Sequence, residues 1–575
     1  MSQVHSPFLQ FDFNRTSTTF EHPIEVITAD RIDQVIPSLV KVQEAINQGY
    51  YAAGYLSYEA SPAFEPSMKV HSNNRMPLVW FGIYKHAQNS TNHPIGSFHT
   101  SEWKPTTTIG EYNKAIQRIK DHIEKGETYQ VNYTIRMLSE FQGDAYAYYK
   151  QLASSQSANY SAYLDIGDYK VLSASPELFF HLKEGKITTK PMKGTVGRGR
   201  TVDEDQENSK WLLHSEKNRA ENVMIVDLLR NDLGRLAKPG TVKVPELFTI
   251  EKYPTVFQMT STVTGEIDSD KSILDIFQAL FPCGSITGAP KINTMNIIHE
   301  LETSPREVYC GAIGFITPEQ EAIFNVPIRT VILDKEEDAT YGVGGGITWD
   351  SQEDEEYAEV LTKAKVLSKT KDTFQLIETI GLKNGEFLVL DNHLNRLENS
   401  ASYFNFRFMR ATLADQLKTL AKQYPLDNWK IRVLLSQDGG TTITILPEPP
   451  IDSDTQLVSL AKHPVSKNNI FLYHKTTNRT FYEKHFDDYP DVFDVLLWNE
   501  NDEITEFTRG NVVVEIDGEL YTPPVHCGLL AGTYREELLN EGKIVERVIY
   551  KKDIPIVNRI WFINSVKEWV LVHIR

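Results

Sequence analysis

The sequence of 575 residues has few cysteines and no long apolar run. Cys283, Cys310 and Cys527 are far apart, so they make neither a metal-ligand spacing nor a disulfide framework. No apolar run approaches the roughly 18 residues of a membrane-spanning helix. The N-terminal residues lack a charged segment followed by an apolar one, so we expect no secretory signal. These absences predict a cytoplasmic protein that does not bind membranes.

An excess of basic residues is also missing. The formal net charge is −18, which argues against a general nucleic-acid binder, because such proteins carry a basic patch. The hydrophobic content of 41% and the charged content of 24% are ordinary for a soluble globular protein. The length alone suggests about three or four domains. An enzyme acting on small molecules is therefore the default class.

One lysine stands in an unusual segment. Lys193 follows Pro191-Met192 and precedes Gly194-Thr195 and a Gly/Arg-rich loop that ends at Arg200. Proline fixes φ and glycine relieves steric limits, so the segment has a defined shape. A lysine held in a dry site has a depressed pKa and can act as a nucleophile. Taken alone, these residues also fit a basic surface turn.

A single carboxylate, Glu177, interrupts the apolar run 171–180. A buried, unpaired carboxylate tends to have a raised pKa, which suits a general acid. The alternative is a glutamate at a strand end that faces water.

Helical spacing predicts a helix at 111–126, and alternation predicts a strand at 129–135. That strand sends Gln130, Asn132 and Thr134 to one face, which is either solvated or part of a site. Residues 209–233 are predicted to form one long helix containing Glu221. Residues 342–346 are predicted to form a glycine loop that a ligand could approach.

An acidic helix is predicted at 353–368, with Glu356, Glu359 and Lys363 on one face. Such a face is usually only solvated. Two glutamates from separate helices could instead hold Mg²⁺, which prefers carboxylate oxygens.

The pattern restarts after Lys371. Residues 373–390 alternate and turn at 383–385, which predicts a hairpin, and a helix is predicted at 391–404. The linker is only a few residues near 369–373. We therefore predict two domains, 1–370 and 374–575.

Several motifs of the first half resemble the chorismate-utilising enzyme family. They lie in roughly 50–368 and stand in the family's order: Ser175-Pro176-Glu177, Pro191-Met192-Lys193-Gly194-Thr195, the helix 220–232, Gly284-Ser285-Ile286-Thr287-Gly288-Ala289-Pro290-Lys291, Tyr309-Cys310-Gly311-Ala312-Ile313-Gly314 and Phe324-Asn325-Val326-Pro327-Ile328-Arg329-Thr330.

Three positions distinguish reactions within that family. Members that activate water carry a lysine where this chain has Gln130, which points to ammonia as the nucleophile. Anthranilate-forming members carry a small residue in place of Lys193 and a histidine in place of Gln258. The resemblance therefore implies amination of chorismate to 4-amino-4-deoxychorismate.

The resemblance also implies roles for individual residues. Lys193 would attack C2 of chorismate while Glu177 protonates the leaving C4 hydroxyl. Mg²⁺ would be bound by Glu221 and Glu359, with Glu356 nearby. The predicted substrate-binding residues are Gln130, Tyr309, Arg329, Gly344, Gly345 and Lys363.

The second half resembles the fold-type IV pyridoxal-phosphate enzymes, which include aminotransferases and aminodeoxychorismate lyase. The resemblance covers 374–575 and implies that Lys475 forms the Schiff base and that Glu506 pairs with the pyridinium nitrogen. Arg396, Gly532 and Thr533 would hold the phosphate. Thr379 aligns with a lyase threonine thought to help protonate the leaving enolpyruvate. The motifs are Leu390-Asp391-Asn392-His393-Leu394-Asn395-Arg396-Leu397, His474-Lys475-Thr476-Thr477-Asn478-Arg479, Ile504-Thr505-Glu506-Phe507-Thr508-Arg509-Gly510-Asn511 and Gly528-Leu529-Leu530-Ala531-Gly532-Thr533-Tyr534-Arg535.

Together the two resemblances imply the α+β fold class. The first half would be an α/β sandwich of antiparallel sheets and helices, and the second a fold-type IV domain of two α/β subdomains. They imply Mg²⁺ and pyridoxal 5'-phosphate as cofactors and a bifunctional enzyme that makes 4-aminobenzoate for folate synthesis. Ammonia would come from a separate glutamine amidotransferase subunit, and a homodimer could form through the second domain.

Two other hypotheses remain open at this point. One is an anthranilate synthase-like or aminodeoxychorismate-forming domain fused to a fold-type IV aminotransferase. The other is a chorismate-binding regulatory protein whose second half is inactive. The presence of Glu177, Lys193, Glu221, Glu359, Lys475 and Glu506 argues against the regulatory protein.

Overall fold

The computed structural model describes residues 6–89, 93, 95–156, 158–368, 374–449 and 456–575. Its contacts divide the chain into two compact units. The first contains 1–197 and 208–371, and the second contains 198–207 and 372–575. The predicted linker at 369–373 lies outside the described residues.

Antiparallel strands and helices alternate along the first unit. Its strands are β1 (Phe8–Phe13), β2 (Thr16–Glu21), β3 (Glu25–Ala29), β4 (Tyr51–Leu56), β5 (Val79–Tyr84), β6 (Phe98–Thr100), β7 (Lys104–Pro105), β8 (Gln130–Gly143), β9 (Tyr160–Asp165), β10 (Tyr169–Ser175), β11 (Leu178–Lys183), β12 (Lys186–Lys190), β13 (Met192–Gly197), β14 (Lys243–Lys252), β15 (Val256–Glu266), β16 (Gly288–Ala289), β17 (Ala312–Ile316), β18 (Ala322–Asn325), β19 (Thr330–Asp334) and β20 (Asp338–Ile347). Its helices are α1 (Ile32–Asn47), α2 (Ile109–Glu124), α3 (Ala145–Gln156), α4 (Val202–His214), which begins in the segment that groups with the second unit, α5 (Glu216–Gly234), α6 (Ile273–Leu280), α7 (Lys291–Leu301) and α8 (Glu353–Ala364).

The first unit is a sandwich of two ten-stranded antiparallel sheets. One sheet runs β16-β8-β20-β19-β10-β9-β1-β2, and the other runs β13-β15-β12-β11-β18-β17-β4-β5-β3. An aromatic core fills the space between them, with Phe11 and Phe20 from the first sheet and Tyr55 and Trp80 from the second. Helices α2, α3 and α8 cover the outer face of the first sheet, and α1, α5 and α6 cover that of the second. Each sheet is thus buried on both faces, as the apolar runs of its strands require.

The second unit contains two sheets with their own helices. Its strands are β21 (Leu376–Lys383), β22 (Glu386–Phe387), β23 (Asn428–Leu435), β24 (Thr441–Pro447), β25 (Gln456–Leu460), β26 (Asp494–Trp498), β27 (Ile504–Phe507), β28 (Asn511–Ile516), β29 (Glu519–Thr522), β30 (Val545–Glu546), β31 (Arg559–Asn564) and β32 (Glu568–Ile574), and its helices are α9 (Leu390–Phe404), α10 (Arg410–Gln423), α11 (Thr480–Asp487) and α12 (Thr533–Asn540). The four-stranded sheet β22-β21-β23-β24 shares a core with α9 and α10. The eight-stranded sheet β27-β26-β25-β32-β31-β28-β29-β30 carries α11 and α12. The α+β class and the two α/β subdomains are as predicted.

Most local predictions are confirmed, and two are wrong. The expected single helix at 209–233 is two helices, because Ser215 adopts an extended conformation and its hydroxyl caps α5 by accepting the Asn218 N–H at 3.5 Å. The expected loop at 342–346 is part of β20, where hydrogen bonds to β8 outweigh the low strand propensity of glycine. The acidic helix ends at Ala364, and a 3₁₀ turn follows it.

A buried ionic cluster holds β8 in place. The Arg306 guanidinium donates to both carboxylate oxygens of Glu302, at 3.0 and 2.6 Å, and to the carbonyls of Ile286 and Asn132, each at 2.8 Å. Glu302 also accepts the Thr134 hydroxyl at 2.8 Å. The polar face of this strand is therefore interior and not solvated. No helix among the described residues is both long and apolar enough to cross a membrane.

This cluster generates a prediction about stability. Arg306→Met should lower the free energy of unfolding by about 3–5 kcal/mol, because it leaves the Glu302 charge buried without its main partner. Arg118→Met is the control. Its partner is Glu300, at 3.9 Å, and both side chains are more than half exposed, so the loss should stay below about 1 kcal/mol. Urea unfolding followed by near-UV circular dichroism measures both, and equal losses would contradict the prediction.

Candidate active sites

Lys193 lies on β13 and is fixed through its backbone. Asn222 donates its side-chain amide to the Lys193 carbonyl at 3.4 Å, and Gln258 donates to the Gly194 carbonyl at 2.9 Å. Burial lowers the pKa of Lys193; the nearby Glu221 opposes this effect and Lys363 reinforces it. A lysine with a lowered pKa has more of the neutral amine that acts as a nucleophile.

Gln130 and Lys193 meet over Gly346 of β20. A Cβ atom at Gly346 would lie 1.8 Å from Gln130 Nε2 and 2.7 Å from Lys193 Nζ, so only glycine leaves room for both groups. Gln130 is buried, and its Oε1 atom has no hydrogen-bond partner among the described residues. Because buried polar atoms are normally paired, this oxygen indicates where a ligand donor would bind.

Glu177 lies between β10 and β11 and is only 3% exposed. Burial raises the pKa of its carboxyl group to about 7, although the Ser285 hydroxyl and Lys193 act in the opposite direction. Its Oε1 atom has no hydrogen-bond partner among the described residues. A carboxyl group that titrates near neutral pH and faces a lysine can donate a proton there.

The acidic helix α8 brings further charges to this site. Lys363 Nζ lies 2.8 Å from Glu359 and donates to the Gly344 carbonyl at 2.9 Å. A Cβ atom at Gly345 would lie 3.4 Å from the carboxylate of Glu356 and 3.7 Å from Lys363 Nζ. The predicted residues Gly344, Gly345, Glu356, Glu359 and Lys363 are therefore neighbours.

The carboxylates on α8 have different environments. Burial raises the pKa of Glu356, and the Ser351 hydroxyl that it accepts at 2.6 Å only partly offsets this. Burial also opposes ionisation of Glu359, but Lys363, Lys193 and Lys217 together outweigh it and lower the pKa of Glu359. The ionised form is therefore more favoured for Glu359 than for Glu356.

The donor set fits Mg²⁺ in its chemistry, since carboxylate oxygens suit this hard cation. Among the described residues, no three acidic, histidine or cysteine side chains form a group that could hold a metal ion. Glu221 and Glu359 could therefore supply only part of a shell that water and a bound carboxylate complete.

Tyr309 and Arg329 lie beside the middle of β20, near Gly342 and Tyr341. The Tyr309 ring packs on Gly342, where a Cβ atom would come within 2.3 Å of the ring. Arg329 adopts a left-handed conformation with φ 53°, and its guanidinium donates to Gln156. Burial lowers the pKa of Arg329, and Tyr341 acts in the opposite direction. Tyr309 thus contacts β20 at Gly342, whereas Lys193 contacts the same strand at Gly346.

In the second unit, Lys475 and Glu506 form a buried pair of titratable groups. Burial lowers the pKa of Lys475 to about 7, and Arg479 and Arg396 contribute to this shift. Burial raises the pKa of Glu506 to about 7, despite the Tyr482 hydroxyl that donates to it at 2.5 Å. Glu506 thus lacks a strong cationic partner of its own.

Arg396 lies beside the Gly532 turn. Its Nη1 atom donates to the Ala531 carbonyl at 3.1 Å, and its Nε and Nη2 atoms donate to Glu378 at 2.9 and 2.6 Å. One N–H on each Nη atom remains for a ligand. A Cβ atom at Gly532 would lie 1.8 Å from Asn511 Oδ1, so the backbone here is tightly packed.

These residues fit pyridoxal phosphate. A cationic ring N–H would give Glu506 the partner that it lacks, and the N-terminus of α12 at Thr533 favours an anion. Thr379 lies on β21 beside Glu378, and its carbonyl accepts the Ser565 hydroxyl at 3.2 Å. Because strand side chains alternate, the Thr379 side chain faces away from Glu378.

Sequence reasoning missed several side chains that hold these sites. Ser285 lies within a quoted motif but received no role, and His393 precedes Arg396 by three residues, a helical spacing that could have linked them. Glu378 and Tyr482 belong to no quoted motif. Only the folded chain places them beside Arg396 and Glu506.

Comparison with known proteins identifies the family. Residues 9–369 match the chorismate binding enzymes. The chain belongs to this family. Residues 375–574 of this chorismate-binding enzyme match the class IV amino-transferases.

Among its relatives, aminodeoxychorismate synthase component 1 of Salmonella typhimurium is 41% identical over 269 residues, covering 46% of this chain and 58% of that protein. The Escherichia coli protein of the same name is 39% identical over 270 residues, covering 47% and 59%. Anthranilate synthase component 1 of Aquifex aeolicus is 38% identical over 267 residues, covering 46% and 54%. The chain thus spans less than three fifths of the length of each.

A solved structure supports the fold of this chorismate-binding enzyme. Anthranilate synthase component I from Streptococcus pneumoniae superposes with a TM-score of 0.52 at 24% identity, covering 64% of this chain and 93% of that one.

The environment of Lys475 generates a prediction about reactivity. With a pKa of about 7, half of its side chains carry a neutral amine at pH 7, compared with fewer than about one in a thousand for an ordinary lysine. In protein freed of cofactor, cyanate should therefore modify Lys475 faster than Lys335 at pH 7, although the Lys335 side chain is 65% exposed. Peptide mass spectrometry measures both rates, and faster modification of Lys335 would contradict the prediction.

Proposed function

We propose that this protein makes 4-aminobenzoate from chorismate in two steps. The first unit would aminate chorismate to 4-amino-4-deoxychorismate, and the second would eliminate pyruvate from that product. The observation that carries the proposal is the pairing of Lys193, whose pKa is lowered, with Glu177, whose pKa is about 7, in one site. The two relatives named aminodeoxychorismate synthase component 1 support it.

The first step would be a covalent displacement. The neutral amine of Lys193 attacks C2, the ring double bonds shift, and Glu177 protonates the C4 hydroxyl, which leaves as water. Ammonia then adds at C4 and gives a proton to Glu177, and Lys193 leaves C2 as the neutral amine. The sum is chorismate plus ammonia giving 4-amino-4-deoxychorismate plus water, and both side chains return to their starting states.

The other residues of the first site would bind and orient the substrate. Arg329 and Tyr309 would hold the enolpyruvyl carboxylate, and Gln130 and Lys363 would line the ring end of the pocket near Gly344 and Gly345. Glu221 and Glu359 would hold Mg²⁺, which neutralises the ring carboxylate when bound.

The second unit would complete the reaction. Pyridoxal phosphate, when bound, supplies an electron sink for the carbon that loses its proton. Lys475 would take the proton from C4 of the substrate, Glu506 would keep the cofactor ring nitrogen protonated, and Arg396, Gly532 and Thr533 would hold the phosphate. Departure of the enolpyruvyl group then leaves an aromatic ring. Thr379 as the donor to that group remains a prediction.

A partner would supply the nitrogen. The three cysteines are buried and none has the sequence context of a glutaminase nucleophile, so we propose that ammonia comes from a separate glutamine amidotransferase subunit.

A second candidate is an anthranilate-forming enzyme fused to an aminotransferase. The likeness to anthranilate synthase component 1 favours it, whereas Lys193 argues against it.

Product analysis tests the proposal. With chorismate, Mg²⁺, an ammonium salt and pyridoxal phosphate, the full chain alone should release 4-aminobenzoate and pyruvate, detected by liquid chromatography. Glutamine should replace ammonium only when a glutaminase subunit is added. Anthranilate as the sole product would overturn the proposal.

Two variants separate the half-reactions. Lys193→Ala should block use of chorismate but still convert supplied 4-amino-4-deoxychorismate to 4-aminobenzoate. Lys475→Ala should consume chorismate and accumulate 4-amino-4-deoxychorismate, because the two sites lie in separate units and should act nearly independently. Loss of both half-reactions in either variant would contradict this assignment.

The environment of Glu177 predicts a pH dependence. Its pKa is raised from an ordinary carboxyl value to about 7, so the proton it must donate is present below pH 7 and is lost above it. The alkaline limb of kcat for the first step should therefore fall through about pH 7. Glu177→Gln should slow this step on the order of 100- to 10,000-fold and abolish that limb. An unchanged alkaline limb in the variant would assign the limb to another group.

A further inference from the structure

A buried histidine connects the residues proposed to hold the phosphate. His393 Nδ1 lies 2.6 Å from Glu378, and His393 Nε2 lies 2.9 Å from the Ser565 hydroxyl and 3.1 Å from the Thr533 hydroxyl. His393 is 1% exposed, and Glu378, Thr533 and Ser565 are at most 5% exposed. The mechanism proposed above gives this histidine no role.

The partners of His393 fix where its proton lies. Arg396 and His393 lower the pKa of the Glu378 carboxyl group to about 2, although burial opposes this, so Glu378 is an anion that can only accept hydrogen bonds. Nδ1 must therefore carry a proton. Burial lowers the pKa of His393, with Arg396 and Lys475 acting in the same direction and Glu378 opposing, so the ring is neutral and Nε2 is an acceptor.

This arrangement does not suit a bound phosphate. A hydroxyl group has one proton, and Ser565 can direct its own to the Thr379 carbonyl at 3.2 Å. In this arrangement Thr533 donates its proton to Nε2 at 3.1 Å and keeps only lone pairs for a ligand, whereas Ser565, which lies closer to Nε2 at 2.9 Å, must turn its proton away from the ring. A phosphate dianion at Gly532 and Thr533 would meet an oxygen without a proton to offer.

The charge balance has the same defect. Arg396, the cation proposed to hold the phosphate, makes two hydrogen bonds to Glu378, which offsets its charge. Protonation of His393 would add a second positive charge beside a dianion while Nε2 keeps its contacts with Ser565 and Thr533.

We propose that binding of a phosphate dianion at Gly532 and Thr533 places a proton from solvent on His393. Nε2 then changes from acceptor to donor, and the Thr533 hydroxyl is free to donate to the phosphate. His393 is thus a positioning residue of the cofactor site. The inference rests on the proposed function, because that function requires pyridoxal phosphate in this unit.

Linkage makes the proposal measurable. If phosphate binding takes up a proton, phosphate affinity must fall as pH rises, by up to about tenfold per pH unit for one proton. The phosphate is already a dianion above about pH 7, because its second pKa is about 6. Pyridoxal lacks the phosphate and serves as the matched ligand. In the ratio of the two dissociation constants, the contributions of Lys475 and Glu506 cancel.

The experiment measures the dissociation constants of pyridoxal and pyridoxal phosphate for the full chain freed of cofactor, from about pH 7 to pH 9. The dissociation constant of pyridoxal divided by that of pyridoxal phosphate should fall several-fold to tenfold for each unit that the pH rises. His393→Gln and Thr533→Val should each make the ratio independent of pH, whereas His485→Gln, on α11, should leave the slope unchanged. In protein labelled with ¹³C at histidine Cε1, the nuclear magnetic resonance signal that is absent from His393→Gln belongs to His393. This signal should move to the position of a protonated histidine when pyridoxal phosphate binds, but not when pyridoxal binds.

Each outcome decides a different claim. A ratio independent of pH in the unaltered protein, or a His393 signal that does not move, overturns the role of His393 and leaves the proposed function intact. If pyridoxal phosphate does not bind at all, the proposed function of the second unit and this inference both fail. Because the pH dependence of the ratio is measured on the unaltered protein, a variant that does not fold leaves that measurement decisive.

Discussion

Removal of water from ionisable side chains is the constraint on which both sites depend. Burial disfavours charge, so it lowers the pKa of Lys193 and Lys475 and raises that of Glu177 and Glu506. Each site thus gains an amine with a lowered pKa and a carboxyl group with a pKa of about 7. The same physical effect prepares two unrelated folds for covalent and acid–base chemistry.

The first site also depends on glycines, because a side chain at these positions would collide with neighbouring atoms. A Cβ atom at Gly344 would lie 2.1 Å from the Tyr133 carbonyl, and one at Gly346 would collide with Gln130. Glycine weakens a strand by itself, but β20 pairs with β8 over its whole length, from Asp338 to Ile347. The Arg306–Glu302 cluster anchors β8 at Asn132 and Thr134, so a buried ion pair supports the strand that pairs with Gly344–Gly346.

Sequence reasoning reached the residues whose chemistry is unusual for their surroundings. Lys193 stands in a Pro/Gly segment and Glu177 in an apolar run, and both patterns are local. The wrong predictions arose where distant contacts decide: pairing with β8 turns Gly342–Gly346 into a strand, and the Ser215 cap divides a continuous helical pattern. Glu378 could not be assigned, because its partner Arg396 lies eighteen positions later on another element. The contact of Lys363 with the Gly344 carbonyl could not be predicted either, because it depends on the fold.

The two buried carboxylates of the second unit show how neighbours set different roles for one chemical group. Glu378 and Glu506 are both nearly inaccessible to solvent, at 2% and 3% exposure. Arg396 and His393 hold the pKa of Glu378 at about 2. Glu506 accepts hydrogen bonds from neutral groups, the Tyr482 hydroxyl at 2.5 Å and the Asn511 amide at 3.4 Å, and its pKa is about 7. Glu378 is therefore a permanent anion that orients an arginine and a histidine. Glu506 ionises fully only when a cation comes to it, and a protonated cofactor ring would be that cation. Pairs of titratable groups with separated pKa values are a common basis for dividing structural and chemical roles. Here the division follows from the neighbours, because Glu378 contacts an arginine and a histidine of α9, whereas Glu506 accepts a hydrogen bond from a tyrosine of α11.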